Sequence, residues 1–155
     1  QLDFCLPMRF DLTYVDKDGS KKTPVVLHRA IFGSLDRFIA YYLEERKGLF
    51  PLWLSPVQVN IIPVNNEYHL SYAEDLLKQL KELGIRAELD DRDEKLGYKM
   101  RESVMKKKNY AVIIGNKEIE NNTVSYRKCG SEETTTVSIK EFKNMILEEI
   151  KTRKN

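Results

Sequence analysis

Residues 57–89 read VQVNIIPVNNEYHLSYAEDLLKQLKELGIRAEL and predict one strand–helix–strand unit. Its two ends, 57–64 and 85–89, are short apolar runs typical of buried strands. Between them, alanine and leucine recur every three or four residues, which predicts an amphipathic helix over 71–83. This helix opens with a serine and has a glutamate three positions later, the pattern of a capping box. Strands joined by one crossover helix lie parallel, so the unit predicts a right-handed βαβ fold.

The residues that follow predict a second crossover helix, three more strands and a final helix. A helix over about 94–107 leads into a buried, apolar strand at 109–115. Residues 123–128 alternate between polar and apolar, and residues 134–137 are mostly β-branched, so both predict strands. A second serine–glutamate capping box opens a helix over 138–152.

These elements give the order βαβαβββα, which predicts an α/β domain with a mixed five-stranded sheet and three helices. Ahead of it, residues 1–14 alternate loosely and predict a strand, followed by a hairpin ending at His28 and a helix over 35–46. The segment LFPLWLSP contains two prolines and no periodicity, and we interpret it as a junction. We therefore predict two domains, 1–50 and 51–155.

Composition bounds the class of protein. The 155 residues are 41% hydrophobic and 32% charged with a net charge of +2, so any surface for nucleic acid must be local. No apolar run approaches the roughly 20 residues of a membrane span, and no secretory signal is visible. Cys5 and Cys129 lie far apart, which favours a reduced intracellular protein with two free thiols. Because Gln1 falls within a strand pattern, we expect a piece of a longer protein.

One short unit, VVLHRAIFGSLDR over 25–37, places a histidine and an arginine in unusual positions. His28 ends a short apolar run, and Arg37 falls in the first turn of a helix that Ser34 can cap. The first turn of a helix favours anions over cations. We therefore expect Arg37 to serve an anionic ligand rather than its own helix.

The motif HRAIFGSLDRF, residues 28–38, resembles the third signature motif of class II threonyl-tRNA synthetases. The resemblance continues through PLWLSPVQV and is strongest locally in GIRAELDDRDEKLGYKMRE, so it covers nearly the whole chain. It implies that residues 1–50 are an antiparallel strand–hairpin–helix remnant of the class II catalytic domain. It also implies that residues 51–155 form the anticodon-binding domain shared by threonyl-, prolyl-, histidyl- and glycyl-tRNA synthetases.

The activity implied by this resemblance is the ATP- and magnesium-dependent attachment of threonine to tRNA(Thr). In the family, His28 matches one of three zinc ligands, Arg37 matches an ATP-binding residue, and Gln1 matches a residue near the bound threonine or adenylate. The other zinc ligands of the family lie upstream, so we expect this chain alone to be inactive and to bind neither zinc nor ATP. The intact enzyme is expected to be a cytoplasmic homodimer that binds tRNA and contacts neither DNA nor membranes.

Residues 92–108 hold seven basic and three acidic residues, although the whole chain carries only +2. Such a local excess of cations suits the phosphates of an RNA loop. We interpret the segment as a surface facing the anticodon and predict contacts from Arg92, Lys99 and Arg101. The alternative interpretation is a solvated helix face with lysines favourably placed at its C-terminus.

Glu118 and Arg127 are predicted to read base edges. Glu118 lies in a predicted turn at 116–118, and strand alternation places Arg127 on the same face as Ser125. A guanidinium can fork to a base, and a carboxylate can accept from the N–H edge of guanine, which threonine anticodons contain. The resemblance points to both residues, and to the position of Asp93, as anticodon contacts. The family carries asparagine there, whereas ionised aspartate only accepts, so the contact at Asp93 stays open.

The same residues argue against three alternatives to a threonine enzyme. A non-catalytic RNA-binding or subunit-contact module would have no need for both His28 and Arg37. Another synthetase of the same subgroup is disfavoured because zinc at the amino-acid site is implied only for the threonine enzyme. Generic nucleotide binding is disfavoured because no glycine-rich phosphate loop follows the strand at 57–64.

Overall fold

The computed structural model describes residues 1–153 and divides into two compact units, Gln1–Tyr42 and Leu43–Asn155, which are described separately. The domain limits 1–50 and 51–155 remain a prediction. None of the helices in the described part of the chain has the length and apolar character needed to cross a bilayer. Cys5 and Cys129 are both free thiols, as predicted.

The first unit consists of two small antiparallel pairings and two helices. Leu2 pairs with Leu27, which joins the first and last strands of the unit, and Tyr14 pairs with Lys22 in a hairpin. The elements are β1 (Leu2–Asp3), α1 (Cys5–Arg9), β2 (Tyr14–Val15), β3 (Lys21–Lys22), β4 (Val26–Leu27) and α2 (Leu35–Glu45), which continues past the end of the unit.

The predicted strand over residues 1–14 is wrong in its middle. The Asp3 carboxylate accepts hydrogen bonds from the backbone N–H groups of Cys5 and Leu6, at 2.9 and 3.0 Å, and the chain turns there into α1. Pro7 is the one buried residue among those described in this unit, and large side chains such as Phe10 and Phe32 are exposed. The unit therefore has almost no core of its own.

The second unit is a mixed five-stranded sheet, as predicted, and its helices lie on both faces. The spatial strand order is β6-β5-β7-β8-β9; β5 runs parallel to both β6 and β7, and the other neighbours are antiparallel. The elements are β5 (Val59–Pro63), α3 (Asn66–Glu82), β6 (Ala87–Leu89), α4 (Leu96–Met105), β7 (Tyr110–Ile114), α5 (Asn116–Asn121), β8 (Thr123–Lys128), β9 (Thr134–Ser138) and α6 (Ile139–Thr152).

The two crossover helices lie on opposite faces of the sheet. Because β6 and β7 flank β5 on opposite sides, right-handed crossovers place α3 on one face and α4 on the other. The α3 face carries the main core, with side chains such as Ile61, Leu76 and Phe142 fully buried. On the α4 face, Met100 packs against Ile62 and Ala111 in a smaller cluster.

Two helix predictions need correction. Helix α3 begins at Asn66, five residues before the predicted Ser71, because the Asn65 side chain caps it by accepting from the Glu67 N–H at 2.7 Å. Residues 116–118, predicted as a turn, open the short helix α5, so this unit has four helices among its described residues rather than three. The Ser138 cap on α6 is confirmed.

Candidate nucleic-acid interface

The order of the parallel strands creates a crevice at the carboxyl edge of the sheet. The chain leaves β5 through α3 to reach β6 on one side of it, and then returns from β6 through α4 to β7 on the other side. Open α/β sheets bind ligands at such a switch point, because the loops that follow two neighbouring strands leave in opposite directions there. Three loops meet this edge at residues 64–65, 90–95 and 115, and we call them the carboxyl-edge loops.

A polar cleft of about 300 Å³ lies between two of these loops. The Asn66 side-chain amide donates to the backbone carbonyl of Asp91, which ties the start of α3 to the loop after β6. The Asn66 Oδ1 atom is buried and has no hydrogen-bond partner among the described residues. The cleft is lined by Val64, Asn65, Asn66, Glu67, Arg92, Asp93, Glu94 and Lys99.

Lys99 lies at the buried side of this cleft instead of on the helix surface. Its residue is 2% exposed, and its Nζ donates to the backbone carbonyl of Asp90 at 3.1 Å. The inner face of α4 is therefore formed by Lys99, Met100 and Ser103, whereas Val104 is 41% exposed. A long aliphatic stem allows lysine to be buried while its ammonium reaches a polar partner.

Arg92 is held by two carboxylates. Its Nε and one terminal nitrogen donate to Asp90 at 2.7 and 2.6 Å, and the other terminal nitrogen lies 2.5 Å from Glu102 on α4. The hydrogen bonds that Arg92 donates to Asp90 lower the pKa of Asp90. Donation to Asp90 first, and to Glu102 second, raises the pKa of Arg92. The guanidinium also lies 5.9 Å from the ring centre of Tyr98, which is 52% exposed.

Acidification should remove the stabilisation that Asp90 provides. Its pKa in the folded state lies below the reference value of 3.8, so the stabilisation is present above that value and is lost as the pH falls through the folded pKa. We expect Asp90→Asn to lower the urea midpoint at pH 7, and the difference from wild type to shrink as the pH falls below 3.8. A difference that stays constant over this range would contradict the pairing.

The predicted cationic surface is smaller than the sequence suggested. Besides Arg92 and Lys99, Lys106 lies 2.6 Å from Glu102, and Lys108 pairs with Glu88 while burial lowers the pKa of Lys108. Within residues 92–108, four basic side chains have no carboxylate within 4 Å among the described residues: Lys95, Lys99, Arg101 and Lys107. Of these, Lys99 is buried and donates to a backbone carbonyl instead. Arg101 is exposed on α4, so of the predicted phosphate contacts it has its charge most available.

A second polar surface lies on the α4 face of β8 and β9. Arg127 is register partner of Ala111, and Ser125 of Ile113, so both side chains share the face on which α4 packs. The opposite alternation, with Val124 in the main core, confirms the predicted faces of this strand. We call this surface the β8–β9 strip; its members are Glu118, Ser125, Arg127, Thr134 and Thr136.

Glu118 is oriented on this strip by two hydrogen bonds. Its Oε2 accepts from the backbone N–H of Gly115 at 3.0 Å, and its Oε1 accepts from the Ser125 hydroxyl at 2.6 Å. Since Ser125 gives its one proton to the carboxylate, the 2.8 Å contact with Thr136 requires Thr136 to donate. An ionised carboxylate has about four acceptor positions, so two remain for a ligand.

Arg127 has hydrogen-bond capacity that the protein does not use. One terminal nitrogen donates to the Thr134 hydroxyl at 3.3 Å, but the Nε–H is buried and has no acceptor among the described residues. A buried donor without a partner costs about 1–3 kcal/mol. Such a group is suited to a ligand that brings its own acceptor.

Five of the six residues predicted to contact the anticodon form two groups in the second unit, and Arg101 lies in neither group. Arg92, Asp93 and Lys99 line the cleft, while Glu118 and Arg127 belong to the β8–β9 strip. The sequence interpretation missed side chains that orient or extend these groups. They are Asn66, Tyr98, Ser125 and His69. The only sequence features that could have pointed to any of them are an asparagine pair after a strand and a tyrosine within a basic segment.

In the first unit, the pairing of β1 with β4 brings two other predicted residues together. The backbone N–H of His28 donates to the carbonyl of Gln1 at 2.9 Å, and the backbone nitrogen of Gln1 donates to the carbonyl of His28 at 3.0 Å. Arg37 lies in the first turn of α2, where its N–H is 3.5 Å from the Ser34 hydroxyl. Over residues 1–153, no three His, Cys, Asp or Glu side chains converge as metal ligands.

Known proteins match this fold and sequence. The family described as Anticodon binding domain matches residues 58–149. The chain is 50% identical to the threonine–tRNA ligase of Oceanobacillus iheyensis over 99% of its own length and 24% of that protein. It is 52% identical to the threonine–tRNA ligase of Streptococcus mutans over 97% of its length and 23% of that protein.

A solved structure shows the same architecture. The crystal structure of the RNA binding domain of threonyl-tRNA synthetase from Cryptosporidium parvum Iowa II superposes with a TM-score of 0.82 at 31% identity. The similarity covers 96% of this chain and 38% of that one. The chain spans about a quarter of the length of the ligases it matches. It belongs to the anticodon-binding domain family, in the form that threonine–tRNA ligases carry.

Proposed function

We propose that this chain recognises the anticodon of threonine tRNA as part of a threonine–tRNA ligase. The observation that carries the proposal is the β8–β9 strip, where Glu118 offers unused acceptors and Arg127 an unused buried donor. The cleft lies at the carboxyl edge of the same sheet and offers further polar groups. Unpaired RNA bases are read through hydrogen bonds to their exposed edges, for which such fixed side chains are suited.

Guanine fits the chemistry of the strip better than the other bases. It presents two kinds of N–H donor on its Watson–Crick edge, which the free acceptor positions of Glu118 can receive. Its O6 and N7 atoms are acceptors, and arginine is the side chain that most often contacts them. Threonine anticodons contain a guanine, so we assign this base to Glu118 and Arg127. Exposed Tyr98 offers a ring on which a neighbouring base can stack.

The chemistry of the whole ligase is also a proposal, because the matched relatives are about four times as long as this chain. We propose ATP-dependent attachment of threonine to tRNA(Thr), with Arg37 at the ATP and Gln1 beside the threonine or its adenylate. A homodimer and a cytoplasmic location belong to the same proposal.

A zinc site would need ligands beyond those that this chain supplies. His28 supplies one nitrogen donor, and catalytic zinc takes three protein ligands. No second and third donor converge on it within residues 1–153, so the side chains of this chain do not by themselves fit a zinc site. The proposal therefore places the remaining ligands elsewhere in the ligase and expects the isolated chain to be inactive.

A binding experiment tests the anticodon proposal. A labelled stem–loop with a threonine anticodon and a second stem–loop with its guanine changed to adenine are titrated with the full chain by fluorescence anisotropy. We expect the first RNA to bind more tightly by about 1–3 kcal/mol, the usual discrimination of one well-formed base contact. Equal affinities would contradict anticodon reading and favour the alternative, a non-catalytic RNA-binding or subunit-contact module.

A further inference from the structure

We infer that His69 is a positioning residue that joins the cleft to the β8–β9 strip and sets the distance between them. His69 is 4% exposed in the first turns of α3, and no role in metal binding or base contact is available to it there. Both of its ring nitrogens instead reach across the carboxyl-edge loops. This inference rests on the proposed anticodon function, because it concerns how the two surfaces act on one RNA loop.

The hydrogen bonds of His69 determine its protonation pattern. The backbone N–H of Asn65 lies 3.1 Å from Nδ1, and a backbone N–H can only donate, so Nδ1 accepts and carries no proton. The proton therefore resides on Nε2, which lies 2.8 Å from the Oδ1 atom of Asn116. A neutral imidazole with one acceptor and one donor fits these two partners.

Each partner of His69 belongs to a different half of the site. Asn65 caps α3, and the next residue, Asn66, holds the backbone carbonyl of Asp91 in the loop that carries Arg92. This branch leads to the cleft. His69 is therefore linked to the loop after β6 through two hydrogen bonds and two intervening residues, Asn65 and Asn66.

The other branch leads to the strip. Asn116 is the first residue of α5, and Glu118 is the third, with its carboxylate folded back onto the Gly115 N–H. Because α5 has only six residues, the orientation of the whole helix determines where Glu118 points. The Nε2 bond to Asn116 is a side-chain contact that ties α5 to the start of α3 across the crevice between β5 and β7.

Anticodon bases on one RNA loop are spaced by the RNA backbone, so two protein half-sites must keep a matching separation. A placement error of about 1 Å is enough to weaken a fitted site strongly. His69 connects both sides through a buried ring that has few conformations. Removing the ring should therefore reduce base discrimination more than it reduces general RNA affinity.

The experiment uses the two stem–loops defined above and the full chain. We expect His69→Ala to weaken the threonine anticodon loop about 10-fold or more, while the loop with adenine in place of guanine changes by less than about 3-fold. The discrimination ratio should thus fall toward one. Gln58→Ala is the matched control, because Gln58 is equally buried and makes two hydrogen bonds at the opposite end of β5.

Two conservative variants separate the contact of His69 with Asn65 from its contact with Asn116. His69→Asn retains an acceptor near the Nδ1 position and loses the bond to Asn116, so its effect should disappear in a Glu118→Gln background. His69→Gln retains a donor near the Nε2 position and loses the bond to Asn65, so its effect should persist in that background. Such non-additivity reports coupling between residues, which a general loss of stability does not produce.

The outcomes are distinguishable. If the unaltered chain binds both RNAs equally, the proposed function fails first. If it discriminates and all three His69 variants keep the same ratio while folded, the positioning role is overturned. If His69→Ala does not fold, the ratios of His69→Asn and His69→Gln decide. A Gln58→Ala chain that loses discrimination as fully as His69→Ala would also overturn the inference, since stability alone would then explain it.

Discussion

Replacing Arg127 with alanine is expected to weaken binding of a threonine anticodon loop by about 1–3 kcal/mol, or about 5- to 150-fold. The guanidinium lies on the α4 face of β8, with a buried Nε–H that has no acceptor among the described residues. A base acceptor would satisfy this donor, and the energy gained would depend on the base. The loss should therefore be much smaller for the loop whose guanine is replaced by adenine.

Arg101→Ala is the matched control for this prediction. Arg101 is an exposed arginine on α4 that has no carboxylate within 4 Å among the described residues. If Arg101 contacts phosphate, its replacement should weaken the binding of both RNAs equally and reduce the slope of log affinity against log salt by about 1. If Arg127→Ala also weakens both RNAs equally, Arg127 is a phosphate contact and the base assignment is wrong.

Gln58→Ala is expected to lower the free energy of unfolding by about 2–4 kcal/mol, the largest stability effect we predict. Gln58 is 0% exposed and donates from Nε2 to the Leu52 carbonyl at 2.9 Å, while its Oε1 accepts from the Arg86 N–H at 2.8 Å. Truncation leaves both partners without their hydrogen bond in a buried setting and creates a small cavity. Urea denaturation followed by circular dichroism measures the change.

Gln79→Ala provides the comparison for this effect. Gln79 is exposed on α3, where its contact is with the Lys143 ammonium at the surface. Its removal should change the free energy of unfolding by less than about 0.5 kcal/mol. A similar loss for the two glutamines would show that the buried hydrogen bonds of Gln58 contribute nothing special.

The local sequence pattern was sufficient to predict the strands of the sheet, but it was not sufficient to predict where every helix begins. The apolar runs around Ile61 and Val112 and the alternation around Val124 predicted their strands, because side-chain period reflects burial directly. The start of α3 was wrong because Asn65 and Asn66 favour loops as strongly as they favour helix caps. The cap of α6, the helix that begins at Ile139, was correctly predicted because serine followed three residues later by glutamate is a less ambiguous signal.

The residues that belong to the site could be predicted from the sequence more fully than their arrangement in space. Resemblance pointed to Glu118 and Arg127, but only the register of β7 with β8 places Arg127 on the α4 face. Lys99 was interpreted as a surface cation because lysine is seldom fully buried. His69 and Asn116 are 47 positions apart in the chain, so no local pattern could reveal their hydrogen bond.

The opposite ends of β5 have different neighbours. Its first end meets the proline-containing segment held by Gln58 and Arg86, whose guanidinium donates to the carbonyls of Trp53 and Ser55, and its far end opens into the crevice beside Asn65. A strand of this length spans roughly 17 Å, beyond the range at which substitutions usually influence one another. Substitutions at the two ends of β5 are therefore expected to act independently, so the proposed base specificity can be redesigned at one end without disturbing the contacts of the proline-containing segment at the other.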